Sequence, residues 1–210
     1  AFMSEKSLFT IDLYLADAQT GKIIKQLTSA AHNSHLDAFT FLESAGSWDP
    51  YGNRFVFTVL KEGKSHLGIV DVQGGGKLFS RKKVREIEIP GIPFITNPAW
   101  GPDGQSIAFT GMVDGTSDLY LFDLRTRELK QLTQDPYSDL MPSWSPSGDK
   151  IVFATDRWVN GEKTSPIQGE QLAIYHLESG IVEVLPVFPQ AQNLNPKFTP
   201  DGKSVLFLSN

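Results

Sequence analysis
Apolar and polar residues alternate with a period of two through most of this chain, in short runs separated by turn formers. Ile107-Ala108-Phe109-Thr110 is one such run. Successive side chains of a strand point to opposite faces, so the pattern predicts β-strands with one face buried. The breaks between runs repeat. Trp48-Asp-Pro-Tyr-Gly52, Trp100-Gly-Pro-Asp-Gly104, Trp144-Ser-Pro-Ser-Gly148 and Phe198-Thr-Pro-Asp-Gly202 each place an aromatic four positions before a glycine. The glycines fall 52, 44 and 54 residues apart. Proline presets φ at the first corner and glycine supplies φ > 0 where the chain reverses, so each copy predicts a short hairpin loop with a glycine bulge. Five residues beyond each glycine stands Phe57, Phe109, Phe153 or Phe207. Alternation puts these rings on one sheet face, where they are expected to pack against a neighbouring sheet.

A second column lies out of phase with the first. Asp12-Leu-Tyr-Leu-Ala-Asp17, His66-Leu-Gly-Ile-Val-Asp71, Asp118-Leu-Tyr-Leu-Phe-Asp123 and Gln171-Leu-Ala-Ile-Tyr-His176 align without gaps. Polar turns follow at Thr20-Gly21, Gly74-Gly75-Gly76, Thr126-Arg127 and Ser179-Gly180. Arg127 replaces the turn glycine, which predicts a wider corner there. A last strand then ends in Gln26-Leu27-Thr28, Gln131-Leu132-Thr133 or Val184-Leu185-Pro186, with Ile87-Glu88-Ile89 expected to serve in the second copy.

Repeats of this length, built from strands and tight turns, define an all-β fold: a β-propeller of four-stranded antiparallel blades. The phase of the two columns divides the single 1–210 region into a half blade at 8–28, blades at 39–90, 95–133 and 139–186, and a half blade at 193–209. That makes sixteen strands, about four blade equivalents. If the ends meet, strand exchange completes a fourth blade; if not, the chain is an arc of a larger propeller. The opening Ala1-Phe2-Met3 and the apolar close Leu206-Phe207-Leu208-Ser209-Asn210 favour the arc. Open strand edges would then call for further blades or for self-association.

Asn97-Pro-Ala-Trp-Gly-Pro-Asp-Gly104, Ile107-Ala-Phe-Thr110, Asp118-Leu-Tyr-Leu-Phe-Asp123 and Gln131-Leu-Thr133 together resemble the TolB-type propeller repeat. The resemblance covers nearly the whole chain. The opening Ser4-Glu5-Lys6-Ser7-Leu8-Phe9-Thr10-Ile11-Asp12-Leu13, with Ser44-Ala-Gly-Ser-Trp48, is similar to a narrower group. These are large bacterial envelope proteins that combine TolB-like repeats with a metallopeptidase-like region. The resemblance implies a protein-interaction platform, a periplasmic or cell-envelope location and membership of a larger protein.

Composition narrows the remaining choices. Hydrophobic residues at 40% and charged residues at 20% exclude a disordered segment. No apolar run approaches the ~20 residues of a spanning helix, so direct membrane insertion is not expected. The absence of cysteine excludes disulfides and thiolate metal sites. A net charge of −5 argues against nucleic acid as a partner. Arg81-Lys82-Lys83 with Arg85 is a local basic exception, either a solvated loop or an anion or partner site.

No His-Glu-x-x-His, Gly-x-Ser-x-Gly or P-loop occurs. No catalytic residue, cofactor or metal is therefore assigned. His32 and His35 are three apart, but a metal there would need further ligands. His66 and His176 occupy strand columns otherwise filled by acidic or amide residues.

Candidate binding residues follow from position, because the first strand of each propeller blade lines the central channel. Asn97 and Asn195 stand three residues before a turn aromatic, Asp139 and Asn193 five before, and Glu43 occupies the corresponding place before Trp48. These side chains either converge on a polar channel able to hold a cation, water or a peptide end, or tie one blade to the next through backbone hydrogen bonds. Asp156-Arg157 is expected to form an ion pair or a turn. Two functions fit. One is a non-catalytic propeller segment that docks protein partners or further blades of its parent. The other is a propeller segment that gates substrate for a peptidase domain outside this chain, an arrangement that resembles prolyl-oligopeptidase-type enzymes.

Overall fold
The computed structural model describes residues 13–27, 46–61, 63–72, 84–157, 169–188 and 191–210. Among them every regular element is a strand. The first sheet pairs β1 (Tyr14–Ala16) with β2 (Ile23–Gln26). The second holds β3 (Ser47–Trp48), β4 (Arg54–Lys61), β5 (Lys64–Asp71) and β6 (Arg85–Ile87). The third holds β7 (Phe94–Trp100), β8 (Ser106–Val113), β9 (Thr116–Asp123) and β10 (Leu129–Gln131). In the fourth are β11 (Asp139–Trp144), β12 (Lys150–Thr155), β13 (Gln171–His176) and β14 (Val182–Leu185). The last sheet pairs β15 (Asn193–Phe198) with β16 (Val205–Ser209). All pairings are antiparallel, and strands lie in chain order within each sheet.

The Pro-Gly turns explain this regularity. Gly52, Gly104, Gly148 and Gly202 take φ of +67°, +71°, +76° and +70°. Each N–H donates to the carbonyl three residues back, on Asp49, Gly101, Ser145 or Thr199, at 2.8–3.0 Å. Only a residue without a Cβ enters the left-handed region without strain. One local geometry thus joins the first and second strands of four sheets.

The corner at Arg127 is no wider than its counterparts. Arg127 takes φ +62°, close to the +68° of Gly21 and +71° of Gly180. Its N–H donates to the Asp123 carbonyl at 2.8 Å, as those of Gly21 and Gly180 do to Asp17 and His176. Arginine in this conformation costs about 1–2 kcal/mol, and the guanidinium stacked 5.7 Å from the Phe122 ring returns about 0.5–1 kcal/mol. Arg127→Gly is therefore expected to stabilise the chain by about 0.5 kcal/mol in urea denaturation. A destabilised variant would mean that the stacking outweighs the backbone strain.

The last strand of the second sheet also departs from expectation. It is Arg85–Ile87, with Ile87 opposite Leu67, rather than a strand over 87–89. The turn at Pro90-Gly91 begins immediately afterwards, with the Ile92 N–H on the Ile89 carbonyl at 3.2 Å. Ile89 is buried, but beyond the end of the pairing.

The sheets stack face to face, and the phenylalanine column fills the seams. Phe109 lies among Val56, Leu67, Ile69 and Ile87 of the preceding sheet. Phe153 packs with Ala108 and Leu119, and Phe57 with Leu27, Leu13 and Leu15. Each ring therefore bridges backwards to the sheet before it. At the inner edge β3 meets β7, β7 meets β11 and β11 meets β15, whereas β6, β10 and β14 make no comparable contact outside their own sheets. The sheets radiate from an axis lined by their first strands, which is the geometry of propeller blades.

Candidate functional site
The first strands carry a repeated irregularity. The pairing register slips between Thr96 and Ala99, between Leu140 and Ser143, and between Leu194 and Lys197. At the slip stand Asn97, Met141 and Asn195, with φ of +50°, +57° and +53°. Pro98, Pro142 and Pro196 follow, all buried. Proline has no N–H to give to a ladder, so the extra residue of a bulge is where it costs nothing. Asparagine tolerates the left-handed conformation through its short polar side chain; methionine has no such help. Each bulge re-aims one side chain of an innermost strand. Asn97 and Met141 are half-buried and Asn195 is exposed.

The other two described candidates are fully buried. Asn193 donates from Nδ2 to the carbonyls of Glu170, Phe188 and Ala191 at 3.0, 2.9 and 3.2 Å. Its Oδ1 accepts from Ser209 Oγ at 2.9 Å. This amide ties the fourth sheet to the last. Asp139, the matching residue of the fourth sheet, accepts from Thr155 Oγ1 at 2.8 Å and from Arg157 Nη2 at 3.0 Å, with Nη1 also on its carboxylate. Arg157 reaches Asp135 as well, and its guanidinium lies 5.3 Å from the Tyr137 ring and 5.6 Å from the Phe153 ring. Asp156 accepts the Ser138 N–H at 2.7 Å. Asp156-Arg157 is thus a turn former beside a buried ion pair. Glu43 lies outside the described residues, as do His32, His35 and Arg81-Lys82-Lys83.

Asp118 adds a third carboxylate at this seam. It is buried and accepts from Gln131 Nε2 at 3.1 Å and Thr133 Oγ1 at 3.4 Å. Burial, and then the charges of Asp139 and Asp135, push its carboxyl above the ordinary range. Two carboxylates, Asp139 and Asp135, pair with one guanidinium, and Asp118 stands near enough to feel the charge of both. The ion pair braces the start of β11 against the end of β12 within one sheet.

The remaining histidines lie on strand surfaces. His176 Nε2 is 3.1 Å from Glu183 on the adjacent strand, the histidine half-buried and the glutamate exposed. His66 borders a cleft of about 160 Å³ with Lys64, Glu88 and Pro93, well below the ~300–1,000 Å³ of small-molecule sites. Among the described residues no group of three His, Asp or Glu could hold a metal ion. Nor is any described helix long and apolar enough to cross a membrane.

Two features escaped the sequence reading. Proline in the middle of an alternating run is a signal for a bulge, and it recurs here three times at one repeat position. Arg54 is the other. It pairs with Asp49 at 2.9 Å, stacks 4.5 Å from the Trp100 ring and donates to the Gly104 carbonyl at 3.0 Å. It thereby clamps one Pro-Gly turn to the next.

Four-stranded sheets radiating from their first strands, joined by one recurring turn, define a β-propeller. Comparison with known proteins refines this. The profile of the TolB beta propeller domain matches residues 76–210, and the chain belongs to that family. A TolB homologue of Chlorobium chlorochromatii is 27% identical over 210 residues, covering 95% of this chain and 42% of the relative. An uncharacterized peptidase of Bacillus subtilis, YuxL, is 29% identical over 143 residues, covering 55% of this chain and 22% of the relative. The crystal structure of TolB from Acinetobacter baumannii superposes with a TM-score of 0.57 at 21% identity, over 78% of this chain and 36% of that one. The chain spans less than half the length of each.

Proposed function
We propose that this chain is a non-catalytic, protein-binding propeller segment of a larger cell-envelope protein. The observation that carries the reading is the repeated bulge on the first strands. It turns Asn97, Met141 and Asn195 out of the ladder on strands whose inner edges have no β partner. A free strand edge beside adaptable amides suits an extended peptide, which adds main-chain hydrogen bonds along the edge and takes specificity from side chains. Membership of the TolB propeller family supports an envelope location.

The test uses peptides selected from a displayed random library against the whole chain. Binding is expected to weaken about tenfold (~1.4 kcal/mol) in Asn97→Gly/Asn195→Gly, which keeps the backbone conformation and deletes both amides. Unchanged affinity would place binding elsewhere. The same chain is expected to show no turnover of fluorogenic peptides.

A second reading rests on the match to the Bacillus subtilis peptidase. Here the propeller admits or positions peptide for a catalytic domain outside these residues. The double variant in the full-length protein would then raise KM for long peptides and leave kcat for short ones unchanged. If both parameters are unmoved, the binding role stands alone.

A further inference from the structure
The seam between the third and fourth sheets buries more negative charge than it balances. Asp118 on β9 and Asp139 on β11 are 5% and 0% exposed, and the two strands pack against each other. Arg157 sits on the Asp139 carboxylate and reaches Asp135, which is one-third exposed. Among the described residues no cation pairs with Asp118, whose partners are the Gln131 amide and the Thr133 hydroxyl. Two buried carboxylates thus share one guanidinium, and a buried charge without a partner is neutralised by a proton sooner than it is kept.

The next seam carries neutral groups at both positions. Gln171 is the counterpart of Asp118 in the second column, and Asn193 is the counterpart of Asp139 on a first strand. Both are amides and both are fully buried. An amide offers a donor and an acceptor, as a protonated carboxyl does; a carboxylate only accepts.

Counting hydrogens at Thr133 leads to the same place. Its Oγ1 accepts the Leu119 N–H at 2.9 Å and stands 3.4 Å from Asp118 Oδ1. The same hydroxyl acts on the Asp139 carboxylate. One hydroxyl hydrogen cannot serve two carboxylates. With a proton on Asp118, that carboxyl donates to Thr133 Oγ1, and Thr133 gives its own hydrogen to Asp139. Every donor and acceptor in the chain is then used.

We propose that Asp118 is a proton-operated latch between the third and fourth blades. Protonated, it links β9 to β11 through Thr133; ionised, it sets a second buried anion against Asp139 and the seam loosens. The latch concerns the joint alone and stands whether or not the bulges bind peptide.

The charged groups around Asp118 fix the direction. Asp139 and Asp135 of the fourth sheet add to burial in favouring its proton. On β9 the Tyr120 phenol is held up by burial and then by the Asp118 charge. The β8 residue opposite is Gly111, and β10 reaches Asp118 with the Gln131 amide. Burial pushes Asp139 up too, against the pull of Arg157. A guanidinium touches Asp139 and none touches Asp118, so Asp118 takes the proton. Such a carboxyl stabilises the fold fully below its unfolded value near 3.8 and loses that contribution as pH rises through the higher folded value. Asp123 and Asp149, held low by the Thr126 N–H and the Ser147 hydroxyl, lose theirs as pH falls below 3.8, so the windows lie apart.

Urea denaturation of the whole chain from about pH 4 to about pH 8 tests this. The unfolding equilibrium constant is expected to rise with pH by up to about tenfold per pH unit through the titration, the limit for one proton. Asp118→Asn puts a neutral donor beside Thr133, and is expected to lack that rise and to be the more stable protein at the alkaline end. Other groups titrate in both proteins, so the difference isolates Asp118. Equal slopes, or a variant less stable at the alkaline end, overturn the proposal. Carbon-13 NMR of the Asp118 carboxyl needs no variant: a titration at or below the ordinary carboxylate value overturns it whatever Asp118→Asn does.

Discussion

Asp139→Ala is expected to destabilise the chain by about 3–5 kcal/mol, the scale for removing one partner of a buried ion pair. Asp139 is fully buried, and the Arg157 side chain is 8% exposed. Removing the carboxylate leaves a nearly buried guanidinium with Asp135, one-third exposed, as its remaining anion. Thr155 Oγ1 also loses its acceptor. Against a typical total of ~5–15 kcal/mol the loss would consume most of the stability. A cycle with Arg157→Met separates charge from packing: the double variant, which leaves only the one-third-exposed Asp135 without its cation, is expected to lose less than Asp139→Ala alone. Equal losses in the single and the double variant would show that the seam depends on the aspartate's hydrogen bonds and not on the pair. Urea denaturation of the three proteins reads the outcome.

That cluster also marks where sequence reasoning stops. Asp139 and Asn193 were legible as polar residues on first strands, because the turn aromatics set their phase. Whether they faced a channel or a seam depended on which sheet lay beside them, and spacing alone carries no such information. Asp139 bonds Arg157 within its own sheet, and Asn193 bonds three backbone carbonyls beside it. The hairpin turns were legible for the opposite reason. Proline, glycine and alternation act over a few residues, and Gly52, Gly104, Gly148 and Gly202 behave as their chemistry requires.

Arg127 and Met141 show a different limit. Both take a conformation that their side chains disfavour, held there by the pairing on either side. At Arg127 the paired strands β9 and β10 dictate the corner, so the glycine's absence changes its cost and not its shape. At Met141 the following proline and the register slip do the same. A local rule predicts energy in such places, and the surrounding sheet decides geometry.

Phe109→Ala is the second large effect, also about 3–5 kcal/mol. The ring is 0% exposed and stacks on Tyr120 within its own sheet. It also meets Val56, Leu67, Ile69 and Ile87 of the sheet before it. Its loss leaves a cavity at the seam between two blades, where backbone collapse is resisted by ladders on both sides. The same substitution along the column is expected to give a gradient. Phe153, equally buried, should match Phe109. Phe207 is only half-buried and touches Phe188 at 6.3 Å, so its removal should cost the single chain about 1 kcal/mol. A uniform loss at all of these positions would mean that the rings stabilise hairpins locally; the gradient would mean that they join blades. Since each ring packs backwards onto the preceding sheet, Phe109→Ala should also broaden the urea transition, as the second and third sheets cease to unfold as one unit.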